Sequence, residues 1–279
     1  MNNRSRHDEI LGRQMSNSPA ELFRELHRGP RILVMPNAWD VASARLFEEA
    51  GVRAMATTSS GISVSHGYPD GQNIPADEMI AEVARIARAV RVPVTADLES
   101  GYGNPGETAR KAIEAGAVGM NFEDGEGGSL IAVEHQQESI RAIRAAAPDL
   151  FVNARVDVYL RQLGEPSSRF GETVRRAIAY VDAGADGIFV PGVVYGPTIA
   201  DLVRAIPAPL NILAAPGAPP IARLEELGVR RVTFGSVLSR VAWSAARAAA
   251  REILEQGTYS RLAESSLSFG EMQELLSRH

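Results

Sequence analysis

The feature that most constrains the fold is a pattern that occurs four times: the end of a helix, a glycine and a short apolar run. The four copies are EEAGVRAMATT, EAGAVGMNFED, DAGADGIFVPG and EELGVRRVTFG, with glycines at positions 51, 116, 184 and 228. A glycine there suits the left-handed backbone that often ends a helix, and each apolar run has the length of a buried parallel strand. The pattern therefore predicts helix–turn–strand units that repeat along the chain.

Four further apolar runs bring the predicted strand count to eight: RILVMP, VPVTADL, LFVNARV and PLNILAA. Eight strand–helix units in 279 residues are typical of a (βα)8 TIM barrel. A doubly wound sheet would normally carry a glycine-rich fingerprint after its first strand, and LVMPNAWD has none. We predict an α/β protein whose single TIM-barrel domain spans residues 1–279, with helical extensions at 1–28 and 258–279.

Composition excludes several classes of protein. Lys and Arg total 29 against 34 Asp and Glu without a basic cluster, so nucleic acid is not an expected partner. No run approaches the roughly 18 apolar residues of a membrane span, and the first residues lack a signal-peptide core. We expect no membrane association and a cytoplasmic location. The chain has no cysteine, which excludes disulfides, thiolate metal sites and a cysteine nucleophile.

Two carboxylates follow the third predicted strand, in VTADLES. Since the active site of a TIM barrel lies at the carboxyl ends of the strands, and side chains alternate along a strand, Asp97 and Glu99 should face the site together. Two neighbouring carboxylates repel each other unless a cation or a proton lies between them, and oxygen ligands suit Mg²⁺ or Mn²⁺. The alternative is that one or both cap the next helix or face solvent.

Polar residues in three other segments are further candidates. Glu123 and Asp124 should point to opposite faces of their strand, and we choose Glu123 for the site. Arg155 interrupts an apolar strand and needs an anionic partner, which is either Glu123 or a substrate carboxylate. The loop TTSSGISVSHGYPDGQ carries Asp70 and offers backbone N–H groups to an anion, unless it is simply a flexible surface loop.

The motifs PNAWD, TTSSG, YPDG, TADLESGYGN, NFEDG and NARVD, in this order, resemble the isocitrate lyase and phosphoenolpyruvate mutase superfamily, in particular its phosphonomutase-like members. The resemblance implies Mg²⁺ at Asp97, Glu99 and Glu123, bound largely through water, with Mn²⁺ as a substitute. It implies a catalytic set of Asp70, Glu123 and Arg155. The substrate-binding residues that it implies are Trp39, Ser59, Ser60, Gly61, Arg155 and Asn211.

The resemblance also implies a homotetramer built from dimers that exchange their last barrel helix. The predicted C-terminal helices agree with this expectation, because a barrel needs only one helix after its eighth strand. The further helix has apolar residues with no assigned partner in its own chain.

Departures from the family motifs narrow the range of reactions that the chain is expected to catalyse. Isocitrate and methylisocitrate lyases carry a K-K-C-G-H loop, whose cysteine acts as acid and base, where this chain reads EDGEGGSLIAVEHQQ. The longer loop with which phosphoenolpyruvate mutase and phosphonopyruvate hydrolase contact phosphorus is also missing. We predict a Mg²⁺-dependent lyase or decarboxylase that cleaves a C–C bond in a small 2-oxo or 2-hydroxy (di)carboxylic acid through an enolate. One alternative is C–P chemistry of the phosphonopyruvate hydrolase or phosphoenolpyruvate mutase type. Another is a catalytically degenerate barrel that binds an oxo acid.

Overall fold

The strands of the chain alternate with its helices. The computed structural model describes residues 18–265 and 267–277. Part of each predicted extension, residues 1–17, 266, 278 and 279, lies outside the described residues. The strands are β1 (Leu33–Met35), β2 (Asn37–Ala38), β3 (Met55–Thr57), β4 (Val94–Asp97), β5 (Gly119–Glu123), β6 (Gly125–Glu126), β7 (Ser129–Leu130), β8 (Phe151–Arg155), β9 (Gly187–Val190), β10 (Leu210–Leu213) and β11 (Arg231–Thr233).

The helices are α1 (Pro19–Arg28), α2 (Val41–Glu49), α3 (Ser59–Ser65), α4 (Ala76–Ala89), α5 (Pro105–Glu114), α6 (Val133–Ala146), α7 (Arg169–Asp182), α8 (Gly196–Ala205), α9 (Ile221–Glu226), α10 (Val237–Gln256), α11 (Ser260–Ser265) and α12 (Phe269–Ser277). The four repeated glycines follow the ends of α2, α5, α7 and α9 with φ between 88° and 114°, as the pattern predicts. Within the described residues, no helix is both long and apolar enough to cross a membrane.

The main sheet is parallel and closes into a barrel. Its order is β1-β11-β10-β9-β8-β5-β4-β3-β2, and β6 pairs only with β7 as a separate antiparallel hairpin. Pro36 separates β1 from β2, because proline has no N–H to give to a ladder. Since β1 pairs with β11 and β2 with β3, the segment 33–38 joins the two edges as one barrel strand. The TIM-barrel prediction is confirmed, and each predicted apolar run contains a strand.

The interior of the barrel changes character along its axis. Phe23 from α1 forms an apolar cluster with Leu33, Met35 and Phe151 at the end where the strands begin. Next comes a polar layer in which Asn121 Oδ1 accepts hydrogen bonds from other strands, as described below. Beyond that layer the carboxyl ends of the strands open into a cavity, which is where a TIM barrel holds its active site.

The C-terminal helices leave much apolar surface exposed. Along α10 only Ser239 and Glu252 are buried, and the Leu254 side chain is 85% exposed. The short helix α12 packs against α2 and buries Leu275. Exposed apolar residues of this region include Val241, Ile253, Leu254, Tyr259, Leu262 and Phe269. The exchange of α10 between subunits stays a prediction.

Candidate active site

The carboxyl ends of the barrel strands surround a cavity of about 450 Å³. Most of the predicted site residues line this cavity, although they come from four different strand ends and from the loop after α3. Those that do are Ser59, Ser60, Asp70, Asp97, Glu99, Glu123 and Arg155. The chain therefore brings its predicted acidic residues and its predicted substrate-binding arginine into one space.

Three predicted substrate-binding residues lie outside the cavity lining. The Trp39 ring packs edge-on against Trp243, with 6.3 Å between ring centroids. Gly61 lies in α3, where a Cβ would stand 2.9 Å from Trp39 Cβ, so this position requires a residue without a side chain. Asn211 is fully buried on β10, and its Oδ1 accepts a hydrogen bond of 3.2 Å from Thr233 Oγ1. These residues therefore pack within the walls of the site and do not face the cavity.

Asp97 and Glu99 reach the cavity by different means. Asp97 is the last residue of β4, so the alternation of side chains along a strand applies to it. Glu99 lies beyond the strand with φ of 51°, a left-handed backbone that is uncommon for a residue with a side chain. The Leu98 side chain between them is fully buried. A tight turn after β4, and not strand alternation, thus accounts for the position of the second carboxylate.

Hydrogen bonds from two neighbouring elements hold the Asp97 carboxylate. Its Oδ2 accepts from Ser59 Oγ at 2.8 Å and from Ser59 N at 3.2 Å. Its Oδ1 accepts from Asn121 Nδ2 at 3.3 Å, and Asn121 Oδ1 in turn accepts from Asn153 and Arg231. Because its oxygen is occupied by two donors, the Asn121 amide presents its NH₂ group to Asp97. The carboxylate orientation is set before any ligand binds.

Negative charge is concentrated on one side of the cavity. Burial, assisted by the nearby carboxylates of Asp97 and Asp70, raises the pKa of Glu99 to about 7. Within the described residues, none of these three carboxylates has a salt bridge to Lys, Arg or His. No group of three His, Asp or Glu side chains in the described ranges is arranged to chelate an ion directly. A cation with its own water ligands would suit this arrangement.

Arg155 ends β8, two strands along the barrel from Asp97 on β4, and is held between two carboxylates. Its Nε and Nη2 donate to Asp157 at 2.6 and 2.9 Å, and its Nη1 lies 2.5 Å from Glu123 Oε2. Burial opposes the charge of the guanidinium, but Glu123 and Asp157 raise the pKa of Arg155 above its ordinary value. A guanidinium has five N–H donors, so one N–H on each Nη stays available for a ligand. The anionic partner that Arg155 needs is thus present in the protein.

Glu123 and Asp124 point in opposite directions, as strand alternation predicts. Burial raises the pKa of the Glu123 carboxyl in the cavity, and Arg155 opposes that rise. The Asp124 carboxylate is fully buried on the other side, where Tyr180 Oη donates to it at 2.7 Å and Arg176 Nη1 at 3.1 Å. Asp124 therefore has a structural role.

The segment after Glu123 is an ordered hairpin. Ile131 N donates to Asp124 O at 2.8 Å, which joins the two ends of the segment. Between β6 and β7, Gly127 and Gly128 have φ of 53° and 86°, a pair of positive values typical of tight hairpin turns. The hairpin therefore leaves and rejoins the barrel at one anchored point.

Several residues that line or support the cavity were not among the sequence-based candidates. Asp157 stands two positions after Arg155 in NARVD, and Asn121 stands two positions before Glu123 on β5, so strand alternation and motif spacing offered a signal for both. Arg161 also lines the cavity. It lies in an irregular segment after β8, where no periodic pattern predicts the direction of a side chain.

Sequence relatives share most of this chain. An uncharacterized protein of Mycobacterium tuberculosis is 40% identical over 91% of this chain and 95% of that protein. The 2-methylisocitrate lyase of Bacillus subtilis is 30% identical over 75% and 69%. The oxaloacetate decarboxylase of Pseudomonas aeruginosa is 31% identical over 77% and 78%. The last two names describe enzymes that break C–C bonds in small carboxylic acids.

Solved structures share the architecture. A crystal structure of 2,3-dimethylmalate lyase, a member of the PEP mutase/isocitrate lyase superfamily, superposes with a TM-score of 0.82 at 26% identity, covering 94% of this chain and 95% of that one. Phosphonopyruvate hydrolase in complex with oxalate and Mg²⁺ superposes with a TM-score of 0.81 at 27% identity, covering 93% and 95%. The family model for phosphoenolpyruvate phosphomutase matches residues 23–254. The chain belongs to the phosphoenolpyruvate phosphomutase family, within the isocitrate lyase and phosphoenolpyruvate mutase superfamily that its ordered motifs predict.

Proposed function

We propose that the protein is a Mg²⁺-dependent lyase or decarboxylase that breaks a C–C bond in a small 2-oxo or 2-hydroxy carboxylic acid through an enolate. The observation that carries this proposal is the division of charge in the cavity. Asp97, Glu99 and Asp70 form an acidic side without a salt bridge among the described residues, and Arg155, two strands away on β8, has two N–H groups still available. To bind an oxo acid, a site needs a cation next to the oxo oxygen and an arginine whose N–H groups can hold the carboxylate.

The acidic side fits a divalent cation. The pKa of Glu99 is raised because the carboxyl is buried and lies near two other carboxylates. A bound cation would favour its ionised form. Mg²⁺ prefers oxygen ligands and usually keeps several waters, so Asp97, Glu99 and Glu123 would hold it partly through water. When bound, the ion supplies Lewis-acid stabilisation of the negative charge that develops on the substrate oxygen. The Mg²⁺ in the phosphonopyruvate hydrolase structure supports this choice of metal.

Arg155 would hold the carboxylate next to the oxo or hydroxy carbon. Its two remaining N–H groups can form a bidentate contact, and Asp157 and Glu123 keep the guanidinium from turning away. The fixed positive charge stabilises the enolate as the bond to the third carbon breaks. Asp70, at the edge of the cavity, completes the proposed catalytic set, and a proton from solvent quenches the enolate.

Two features favour C–C over C–P cleavage. The names of the lyase and decarboxylase relatives describe substrates that are carboxylic acids without phosphorus. The hairpin after Glu123 also starts at Gly125, which presents no side chain to a phosphonate. Phosphonopyruvate chemistry is the second candidate, because the phosphonopyruvate hydrolase structure superposes about as well as the lyase structure.

We also propose a homotetramer of exchanged dimers with one barrel domain per chain. The exposed apolar side chains of α10, such as Val241 and Leu254, would be covered by a second copy. Light scattering of the purified protein tests this: a monomeric mass at micromolar concentration would contradict it.

Proton and phosphorus NMR with Mg²⁺ and a panel of oxaloacetate, substituted malates, methylisocitrate and phosphonopyruvate tests the reaction, with EDTA in parallel samples. We expect that one of the phosphorus-free carboxylic acids is consumed in samples without EDTA but not in samples with EDTA. Pyruvate or glyoxylate should appear as it is consumed. Asp97→Ala should abolish turnover without unfolding the protein, and Asp201→Asn, at an exposed position on α8, is the matched control. Full activity in metal-stripped protein would refute the metal role. Conversion of phosphonopyruvate alone, seen as loss of its phosphorus signal, would favour the second candidate, and no change in any resonance would favour an oxo-acid-binding barrel.

A further inference from the structure

Arg161 is a second guanidinium in the cavity, and most of its donors have no acceptor among the residues that the structure describes. It lines the cavity, and its side chain is 27% exposed. Its Nε donates to Asp157 Oδ2 at 3.1 Å. Within the described residues, its two Nη atoms, with four N–H groups, donate to no acceptor. These groups are available to an anion that enters the cavity.

The position of Arg161 is held from two sides. Asp157 is fully buried, and its Oδ2 also accepts from Arg155 Nη2, so one carboxylate oxygen holds both arginines. Gly125 covers the other side: a Cβ there would lie 2.5 Å from Asp157 Oδ2 and 2.7 Å from Arg161 Nη2. Only a residue without a side chain leaves room for this packing. The guanidinium is thus in place before a ligand arrives, which lowers the entropy lost on binding.

The two arginines differ in how far their charge is compensated. Arg155 is flanked by two carboxylates, Glu123 and Asp157, and offers its remaining N–H groups to the first carboxylate of the substrate. Arg161 shares a single carboxylate with Arg155 and has no other acidic partner among the described residues. The cation that a second anionic group would reach in this cavity is therefore Arg161.

We propose that Arg161 binds a carboxylate at the far end of the substrate and so selects dicarboxylic acids over monocarboxylic ones. This inference rests on the proposed function, since it assigns the near carboxylate to Arg155 and the metal site. Charge-assisted hydrogen bonds to a guanidinium contribute strongly to such recognition. Arg161 is then a specificity-determining residue for which the family motifs offer no signal.

Isothermal titration calorimetry with Mg²⁺ tests the proposal with two probes. Oxalate is a dicarboxylate, but its two carboxylates are directly bonded, so it matches only the near carboxylate and the adjacent oxo carbon of a 2-oxo acid. The second probe, 3,3-difluorooxaloacetate, adds a carboxylate at the far end. In Arg161→Gln we expect affinity for 3,3-difluorooxaloacetate to fall by about 10- to 100-fold, as for loss of hydrogen bonds to a charged group, and oxalate affinity to stay within about twofold. Arg161→Lys should recover part of the loss. Arg204→Gln, at an exposed position on α8, is the matched control and should resemble wild type.

The outcomes separate this inference from the proposed function. Equal losses for both probes would mean that Arg161 only supports Asp157, and no loss for either would mean that it binds no ligand; both results overturn the inference. Phosphonopyruvate is a third probe: a loss confined to it would show that the far group is a phosphonate and overturn the carboxylate assignment. If wild type binds neither oxalate nor difluorooxaloacetate with Mg²⁺, the proposed function and this inference fail together.

Discussion

His27 should make the stability of the barrel depend on pH, since it is buried where α1 closes the barrel. The side chain is 2% exposed, its ring stacks on Phe151 with 4.2 Å between centroids, and its Nδ1 lies 2.8 Å from Phe23 O. That contact makes Nδ1 the donor of a neutral imidazole. Burial, assisted by the charge of Arg231, lowers the pKa of His27 to about 3.

The sign and size of the effect follow from linkage. The unfolded chain binds a proton at His27 near pH 6.5, and the folded chain does so only near pH 3. Between these values the unfolded state binds more protons, so the free energy of unfolding falls as pH falls below about 6.5. From about pH 7.5 to about pH 5 this single residue should lower it by about 2 kcal/mol. Above about pH 7.5 the contribution is constant.

Equilibrium urea unfolding of wild type and His27→Phe at both pH values measures this effect. The phenylalanine keeps a ring on Phe151 and cannot bind a proton, so other titrating groups cancel in the comparison. We expect wild type to lose about 2 kcal/mol more than the variant between the two pH values. A difference between the two proteins that does not change with pH would refute the assignment of a neutral, buried His27.

Three other substitutions test the hairpin contact with Arg161, the backbone of α7 and the buried Asp124 carboxylate. Gly125→Ala should displace Arg161 and raise the KM for a diacid at least about tenfold, because guanidinium binding is charge-assisted; unchanged kinetics would contradict the fit of the hairpin against Arg161. Gly171 lies in α7, where an added Cβ would meet nothing within 4 Å. Gly171→Ala should therefore stabilise the protein by about 0.5–1 kcal/mol in thermal unfolding, because glycine loses more backbone entropy in a helix than alanine does. A lower melting temperature would contradict this prediction. Tyr180→Phe removes a buried donor to Asp124 and should cost about 1–3 kcal/mol in urea unfolding, whereas an unchanged midpoint would show that the remaining donors, Arg176 Nη1 and Asp157 N, satisfy the carboxylate.

Local sequence signals determined the barrel and the residues at the ends of its strands. The repeated glycines mark helix ends because only glycine adopts positive φ without steric cost, and the apolar runs mark strands that are buried on both faces. Alternation along β5 separates Glu123 from Asp124 by the same local geometry. These features depend on a few neighbouring residues, so the sequence alone was sufficient to predict them.

Tertiary structure decided what depends on contacts between distant segments. Glu99 faces the cavity as predicted, but the reason given for that prediction was wrong. Glu99 lies in a turn outside the strand, so the alternation of side chains along a strand does not apply to it. Trp39 follows β2 and Asn211 lies within β10, yet packing directs both side chains into the walls. The Asp157 carboxylate that holds Arg155 and Arg161 depends on the hairpin at Gly125. Such contacts arise only once the barrel closes, because free energies of burial and pairing depend on neighbours in space and not along the chain.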